Sequence, residues 1–391
     1  MGAGTVAGMS ENPAEPTSAE PNPAEPTPAE PDAPREGARL DGVRSGEGGG
    51  APRRELAPGY QEQLDQGYVF GSVQTFGQRP LLTHPDQLDA WQPDVAVIGA
   101  PFDLGTTNRP GARFGPRALR SSVYESGTYH LGLGLEIFDH VEVVDYGDAY
   151  CPSGRVDASL ANIRAKVHEV ASRGIVPFVI GGDHTITWPS ATAVADVYGY
   201  GNVGMVHFDA HADTADTIDG NLASHGTPMR RLIESGAVPG KNFIQVGLRS
   251  YWPGEDVWDW MSEQGMRWHL MDEVWDRGFK AVMADAVAEA LDGPEFLYIS
   301  IDIDSLDPAY APGTGTPEPG GLVAADLMRI VRDLGHRHHV VAMDVVEVAP
   351  AYDHADCTIN VANRLFMECL AGMGARRRDA AGGSPGLPGR R

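Results

Sequence analysis

The sequence predicts one α/β domain built on an eight-stranded, mainly parallel sheet covered on both faces by helices. Two observations carry this. Across residues 59–375, short β-branched runs alternate with amphipathic stretches and no linker intervenes. Runs such as VGMVHF and FLYISI are apolar almost throughout, as strands buried on both faces should be. Strands are expected at 94–99, 141–145, 175–180, 203–209, 242–248, 267–270, 296–302 and 340–346. The helical pattern falls at 116–124, 159–173, 188–197, 228–234, 254–264, 281–291 and 324–334, with a last helix over 358–373.

The two ends of the chain read differently. Residues 1–58 carry the imperfect repeat ENPAEPTSAEPNPAEPTPAEPDAP and then SGEGGGAPRR, with almost no large apolar residue before Leu56. Such a segment buries too little surface to offset its ordering entropy, so a disordered acidic tail is expected there. A second flexible tail is expected over 376–391, which is rich in Arg, Gly and Pro.

Composition narrows the function classes. A net charge of −24 is the wrong sign for a nucleic-acid or anionic-membrane partner. No run of about 18 apolar residues suggests a membrane span, and no basic region followed by an apolar run suggests a secretory signal. Cys151, Cys357 and Cys369 are odd in number and match no zinc spacing, so a reducing, cytoplasmic setting is expected.

In an open parallel sheet the chemistry sits beyond the carboxyl ends of the strands. Three strand ends carry polar residues that a fold alone does not require. One runs into Gly181-Gly182-Asp183-His184, the second into Asp209-Ala210-His211-Ala212-Asp213, and the third into Asp302-Ile303-Asp304. In extended backbone Asp209, His211 and Asp213 project to one side, as do Asp302 and Asp304. Four carboxylates at one edge repel and raise one another's pKa values, and bound cations relieve this. Together with His184 and His211 they are too many ligands for one open catalytic metal but suit two, which can ionise a shared water near neutral pH. The thiolate-free, carboxylate-rich set favours Mn²⁺, with Ni²⁺ also compatible with imidazole. Glu347, at the end of the 340–346 strand, adds a further carboxylate at this edge.

IGGDHT, HFDAHAD and SIDIDSLDP, in that order, resemble the signature motifs of the ureohydrolase (arginase and agmatinase) family. GTGTPEPGGL and AMDVVEVAPAYD extend the likeness and lean towards its agmatinase branch. The resemblance implies a three-layer α/β/α, arginase-like fold and assembly into trimers or hexamers. It implies that His184, Asp209, Asp213 and Asp302 bind one Mn²⁺, that His211, Asp209, Asp302 and Asp304 bind the other, and that Asp209 and Asp302 bridge. His225, in the loop after Asp213, becomes the proton shuttle, Glu347 holds the substrate guanidinium through a paired planar contact, and Asp304 assists the proton's movement. The implied reaction is hydrolysis of a small guanidino compound to urea and an amine, with agmatine the first choice. Guanidinobutyrate, guanidinopropionate and guanidine are the alternatives. Where an arginase would carry an Asn for an amino-acid carboxylate, this chain has Ala215 followed by Asp216, an acidic residue compatible with a cationic substrate tail. A single-zinc deacetylase of the same fold, or a non-catalytic metal-binding protein, fits the full ligand set less well.

Three other features read as architecture. RPGARFGPRALR, residues 109–120, does not match a phosphate-binding loop, although the family places a similar loop near its active-site mouth. His336, His338 and His339 fall in a solvated turn. Trp252, Trp258, Trp260, Trp268 and Trp275 suit core or subunit-interface packing, with a lid over the substrate as the alternative.

Overall fold

The computed structural model describes residues 73–122 and 127–383. The acidic tail expected over 1–58 lies outside the described residues. Eight strands form one sheet: β1 (Val95–Ala100), β2 (Val143–Asp148), β3 (Val176–Gly181), β4 (Val203–Phe208), β5 (Phe243–Leu248), β6 (Arg267–Leu270), β7 (Phe296–Asp302) and β8 (Val340–Val346). Their spatial order is β2-β1-β3-β8-β7-β4-β5-β6, and every neighbouring pair is parallel. All eight expected strands are present.

Residues on opposite faces of the strands β1–β5, β7 and β8 feed two separate cores. On β1, Val95 and Val97 join one cluster and Ala96 and Ile98 the other. The first is completed by α2 (Gly115–Ser121), α8 (Phe279–Ala290), α9 (Ala324–Arg337) and α10 (Cys357–Ala380), through residues such as Leu119, Ala286, Val331 and Phe366. The second is completed by α3 (Val156–Ala171), α4 (Thr187–Tyr198), α5 (Pro228–Glu234) and α6 (Glu255–Glu263), through Ile163, Val194, Leu232 and Met261. These are the three expected α/β/α layers, and they explain why the strands read as continuous apolar runs.

Three elements escape the sequence pattern. They are α1 (Pro85–Trp91), α7 (Met271–Arg277) and a two-stranded antiparallel pair, Tyr129–His130 with Leu135–Glu136. Each helix has 7 residues, about two turns. At the other end α10 runs to Ala380, past the expected start of the C-terminal tail at 376. The arginines that suggested a loose end are anchored: Arg376 donates to His338 O (2.7 Å), Arg377 pairs with Asp94, and Arg378 donates to Leu133 O (2.9 Å). Among the described residues no helix is long and apolar enough to cross a membrane.

Four central strands, β3, β8, β7 and β4, lie side by side. Their carboxyl ends open on one edge of the sheet, and there the polar motifs meet.

Candidate metal centre and active site

The chain leaves β3 through Gly182, where a Cβ would lie 2.1 Å from Phe102 O and 2.6 Å from Ala100 O, so only glycine fits. Asp183 then caps a short 3₁₀ turn by accepting from Thr185 N (3.0 Å), and His184 is its first residue. On the next motif the structure departs from expectation. β4 stops at Phe208, so Asp209, His211 and Asp213 lie in the loop beyond it and not on a strand face. Asp213 adopts a left-handed φ of 54°. Their convergence comes from a folded loop, in which Asp209 Oδ1 accepts from His211 N (2.7 Å). The third motif turns in the same way: Asp302 ends β7, and its Oδ1 accepts from Asp304 N (2.8 Å).

These side chains form two groups that share Asp209. In the first, His184 Nδ1 lies 3.0 Å from Asp209 Oδ2, 3.0 Å from Asp213 Oδ2 and 3.1 Å from Asp302 Oδ2. In the second, His211 Nδ1 lies 3.2 Å from Asp304 Oδ2 and 3.6 Å from Asp209 Oδ1. His184 shows what such a cluster requires. Its Nε2 contacts Ser300 Oγ (3.1 Å), and Ser300 gives its one hydroxyl proton to Asp344 Oδ1 (2.8 Å). Ser300 can therefore only accept, so the neutral His184 ring carries its proton on Nε2 and turns a bare Nδ1 towards three carboxylate oxygens. His184 Nδ1 and Asp209 Oδ2 are buried and neither makes a hydrogen bond. Lone pairs crowded on one point are what a divalent cation resolves, and the donor set of imidazole and carboxylate, without thiolate, fits one.

The electrostatics carry the same demand. Burial pulls the His184 imidazole down, but the three facing carboxylates outweigh it and raise the ring well above its ordinary value. Burial likewise opposes, and the charge of Asp304 overcomes, a rise of His211 to about 12. Burial and the charges of Asp304 and Asp209 push Asp302 well above the carboxylate range, while three imidazoles hold Asp209 well below it against its burial. Protons and metal ions therefore compete for His184 and His211. Because the raised imidazoles keep their protons at neutral pH, cation affinity is expected to rise with pH, about tenfold per unit for each proton displaced. Calorimetric titration of Mn²⁺ in buffers of different ionisation enthalpy reads that proton release. Affinity independent of pH would contradict the competition.

Glu347 and His225 stand beside this cluster. Glu347 follows β8 with a left-handed φ of 63° and donates its N–H to Gly182 O (2.8 Å), which locks it against the β3 turn. Its Oε1 accepts from His184 N (3.0 Å) and pairs with His225 Nδ1 (2.9 Å), whereas its buried Oε2 has no partner. A Cβ on Gly315, in the GTGTPEPGGL motif, would sit 3.4 Å from that oxygen, so the glycine leaves space over it. Burial lowers His225, but the charge of Glu347 prevails and lifts it to about 9. Asp183 is raised to about 7 by burial and then by the Glu347 charge.

The structure thus brings together His184, Asp209, His211, Asp213, Asp302 and Asp304, with His225 and Glu347 alongside. Asp216 pairs with the arginines of α5. Its side chain is 65% exposed and its Oδ1 is engaged by Arg231 (2.9 Å). His336 bonds Asp379 (2.9 Å), away from the site. In the 109–120 loop Arg113 pairs with Asp103 and Arg120 with Asp145 and Asp148, an architectural role. Trp258 and Trp268 pack on each other (4.9 Å between ring centres), whereas Trp275 is largely exposed.

Sequence reasoning passed over several neighbours. His207, on β4, faces Asp209 Oδ2 (3.0 Å) and is held from behind by Gln245 Nε2 (3.0 Å). Asp344 gathers three hydroxyls, from Thr187, Tyr298 and Ser300. Thr107 meets His225 Nε2 (2.7 Å). His207 and Asp344 lie inside apolar strand runs, where no spacing marks them, although a polar residue in a doubly buried strand is itself a signal.

Comparison with known proteins gives this geometry a context. Residues 93–372 match the arginase family. The mitochondrial agmatinase of Gallus gallus is 40% identical over 292 residues, 74% of this chain and 84% of that protein. The guanidinobutyrase of Pseudomonas aeruginosa is 36% identical over 301 residues, 77% of this chain and 92% of that protein. The solved structure of proclavaminate amidinohydrolase from Streptomyces clavuligerus aligns with a TM-score of 0.71 at 33% identity, covering 79% of this chain and 99% of that one. The chain therefore belongs to the arginase family, the hydrolases that act on the C–N bonds of linear amidines.

Proposed function

We propose that the protein hydrolyses agmatine to putrescine and urea. The observation that carries the reading is the buried, partnerless Glu347 Oε2, set between His225 and two groups of metal-ligating side chains that share Asp209. A carboxylate oxygen with open space above it and a charge to balance suits a guanidinium N–H.

The residues that would hold the cations are His184, Asp209, Asp213 and Asp302 for one, and His211, Asp209, Asp302 and Asp304 for the other. When bound, two divalent ions, Mn²⁺ in our reading, supply an ionised water at neutral pH and neutralise the carboxylates. The protein's own groups do the rest. Glu347 orients the guanidinium, and its Oε1 holds the Nδ1 edge of His225. His225, with its raised pKa, carries a proton at neutral pH for the departing amine nitrogen. Asp304, fixed by Ala210 N (3.2 Å) and Thr316 Oγ1 (3.2 Å), is positioned to assist the proton's movement. Water adds across the C–N bond, the amine leaves with the proton, and urea remains.

Agmatine is favoured over guanidino acids on two grounds. Arg249, next to the ligand loops, spends its donors on the carbonyls of Gly247, Asp304, Glu318 and Pro319, so it is not free to receive a substrate carboxylate. The strongly acidic chain also attracts cations. Cytoplasmic location is part of the same reading, supported by three unbonded cysteines. So is self-association, supported by the exposed apolar surface of Tyr251, Leu270 and Trp275 around one cavity. The test is urea release by Mn²⁺- and Ni²⁺-loaded protein from agmatine, arginine, guanidinobutyrate, guanidinopropionate and guanidine. Agmatine is expected to be cleaved with the highest kcat/KM. Faster cleavage of guanidinobutyrate would reassign the substrate, and no urea from any of them would end the proposal.

A further inference from the structure

His225 is buried, with about 9% of its surface exposed. Its Nδ1 is taken by Glu347. Its Nε2 points the other way and meets one residue, Thr107, from both the hydroxyl (2.7 Å) and the backbone N–H (3.2 Å). Thr107 itself is exposed. With Nδ1–H held by Glu347, the proton His225 gives to the amine leaves from Nε2, the same nitrogen must then recover one, and its hydrogen-bonded neighbour is this hydroxyl.

The loop that carries Thr107 is pinned from two sides, independently of the threonine side chain. Gly105 N donates to Asp183 Oδ2 (2.8 Å), and Gly105 O accepts from His225 N (3.0 Å) and Ser224 Oγ (2.8 Å). A Cβ at Gly105 would lie 2.3 Å from Thr185 Oγ1 and 3.0 Å from His225 N, so the backbone threads a gap that admits only glycine. On the far side Asn108 Nδ2 donates to Gly315 O (2.9 Å). The fold therefore holds the hydroxyl of an exposed residue at a fixed distance from a buried imidazole.

We propose that the Thr107 hydroxyl is the proton inlet of His225. A proton from water at the mouth is taken by Thr107 Oγ1 while the proton already on Oγ1 passes to His225 Nε2. One O–H bond forms and one breaks at Thr107, one N–H bond forms on the ring, and the net change is one proton moved from solvent to His225. Thr107 acts through His225, so it is a positioning and relay residue. The inference rests on the reading of His225 as the proton donor of urea release.

The test compares Thr107→Val, Thr107→Ser and His225→Asn in the Mn²⁺-loaded enzyme with agmatine. Valine matches threonine in shape and removes only the hydroxyl. Thr107→Val is expected to lower kcat about tenfold or more, with KM within about twofold, because acid–base assistance of this kind contributes about 10²–10⁴-fold in all. Raising the concentration of a small protonated buffer such as imidazolium should restore much of that loss, and Thr107→Ser should keep kcat near wild type. A structural role for Thr107 would show neither rescue. Wild-type kcat in Thr107→Val, or a loss that no buffer acid recovers, overturns the proposal. Full activity in His225→Asn would instead remove the shuttle on which it rests, and an inactive wild-type enzyme would remove the function.

Discussion

Glu347→Gln is expected to keep its metal ions and lose urea release, with kcat/KM down by about 10²–10⁴-fold. The amide is nearly the same size and can occupy the same left-handed position after β8. Its oxygen can replace Oε1, accepting from His184 N and His225 Nδ1, so the neighbours stay in place. What changes is Oε2, the buried oxygen without a partner. In the variant an NH₂ group occupies that point and meets the guanidinium donor to donor. Removing one partner of a buried charge pair costs about 3–5 kcal/mol. At about 1.4 kcal/mol per tenfold this gives the stated range. The informative comparison is urea release against metal content in one preparation. Activity within tenfold of wild type at full metal content would mean that the guanidinium is held elsewhere.

The sequence disclosed the centre but not its shape. Strand ends were legible because runs such as VGMVHF and FLYISI are bounded sharply by Asp209 and Asp302, and polar residues there have no packing reason to exist. Residues two apart do share a side on extended backbone, but β4 ends before Asp209, and the loop brings Asp213 back through a left-handed turn. Asp209 and Asp213 approach His184, while His211 turns to Asp304. A strand would have held all three in one row. Asp216 is the reverse case. Its position beside the motif suggested a substrate contact, but two arginines on α5 offer a nearer partner, and nothing local in the sequence fixes that choice. Thr107 and Asp183 were harder still. Their importance depends on Gly105 lying between Asp183 and His225, residues about 80 and 120 positions away in the chain. Long-range pairings of this kind are set by strand order, and the order β3-β8-β7-β4 does not follow from any single stretch of sequence.

The sharing of Asp209 between the two ligand groups leads to the second large effect, and it distinguishes Asp209 from a residue such as His211 that serves one group. Asp209→Asn should empty both metal positions and abolish urea release, whereas His211→Ala should weaken chiefly one. In the variant Oδ1 can still accept from His211 N, so the loop has no reason to unfold. The replaced oxygen, Oδ2, is the one that lies 3.0 Å from both His184 Nδ1 and His207 Nε2. An NH₂ there puts a donor where the His184 group needs an anionic oxygen, and the lost negative charge leaves only a neutral amide oxygen, Oδ1, towards the His211 group. Bound cations are worth several kcal/mol of charge stabilisation, so the loss of rate is expected to be about 10³-fold or more. Metal analysis after desalting should find little bound metal in Asp209→Asn, about half the wild-type content in His211→Ala, and full content in Glu347→Gln. Chelation of the wild-type enzyme should reproduce the Asp209→Asn rate, and added Mn²⁺ should restore the wild type but not the variant. Equal metal loss in Asp209→Asn and His211→Ala would mean that the cations bind as an inseparable pair and that Asp209 has no special place. Full metal content in Asp209→Asn would mean that the two groups bind without a shared carboxylate.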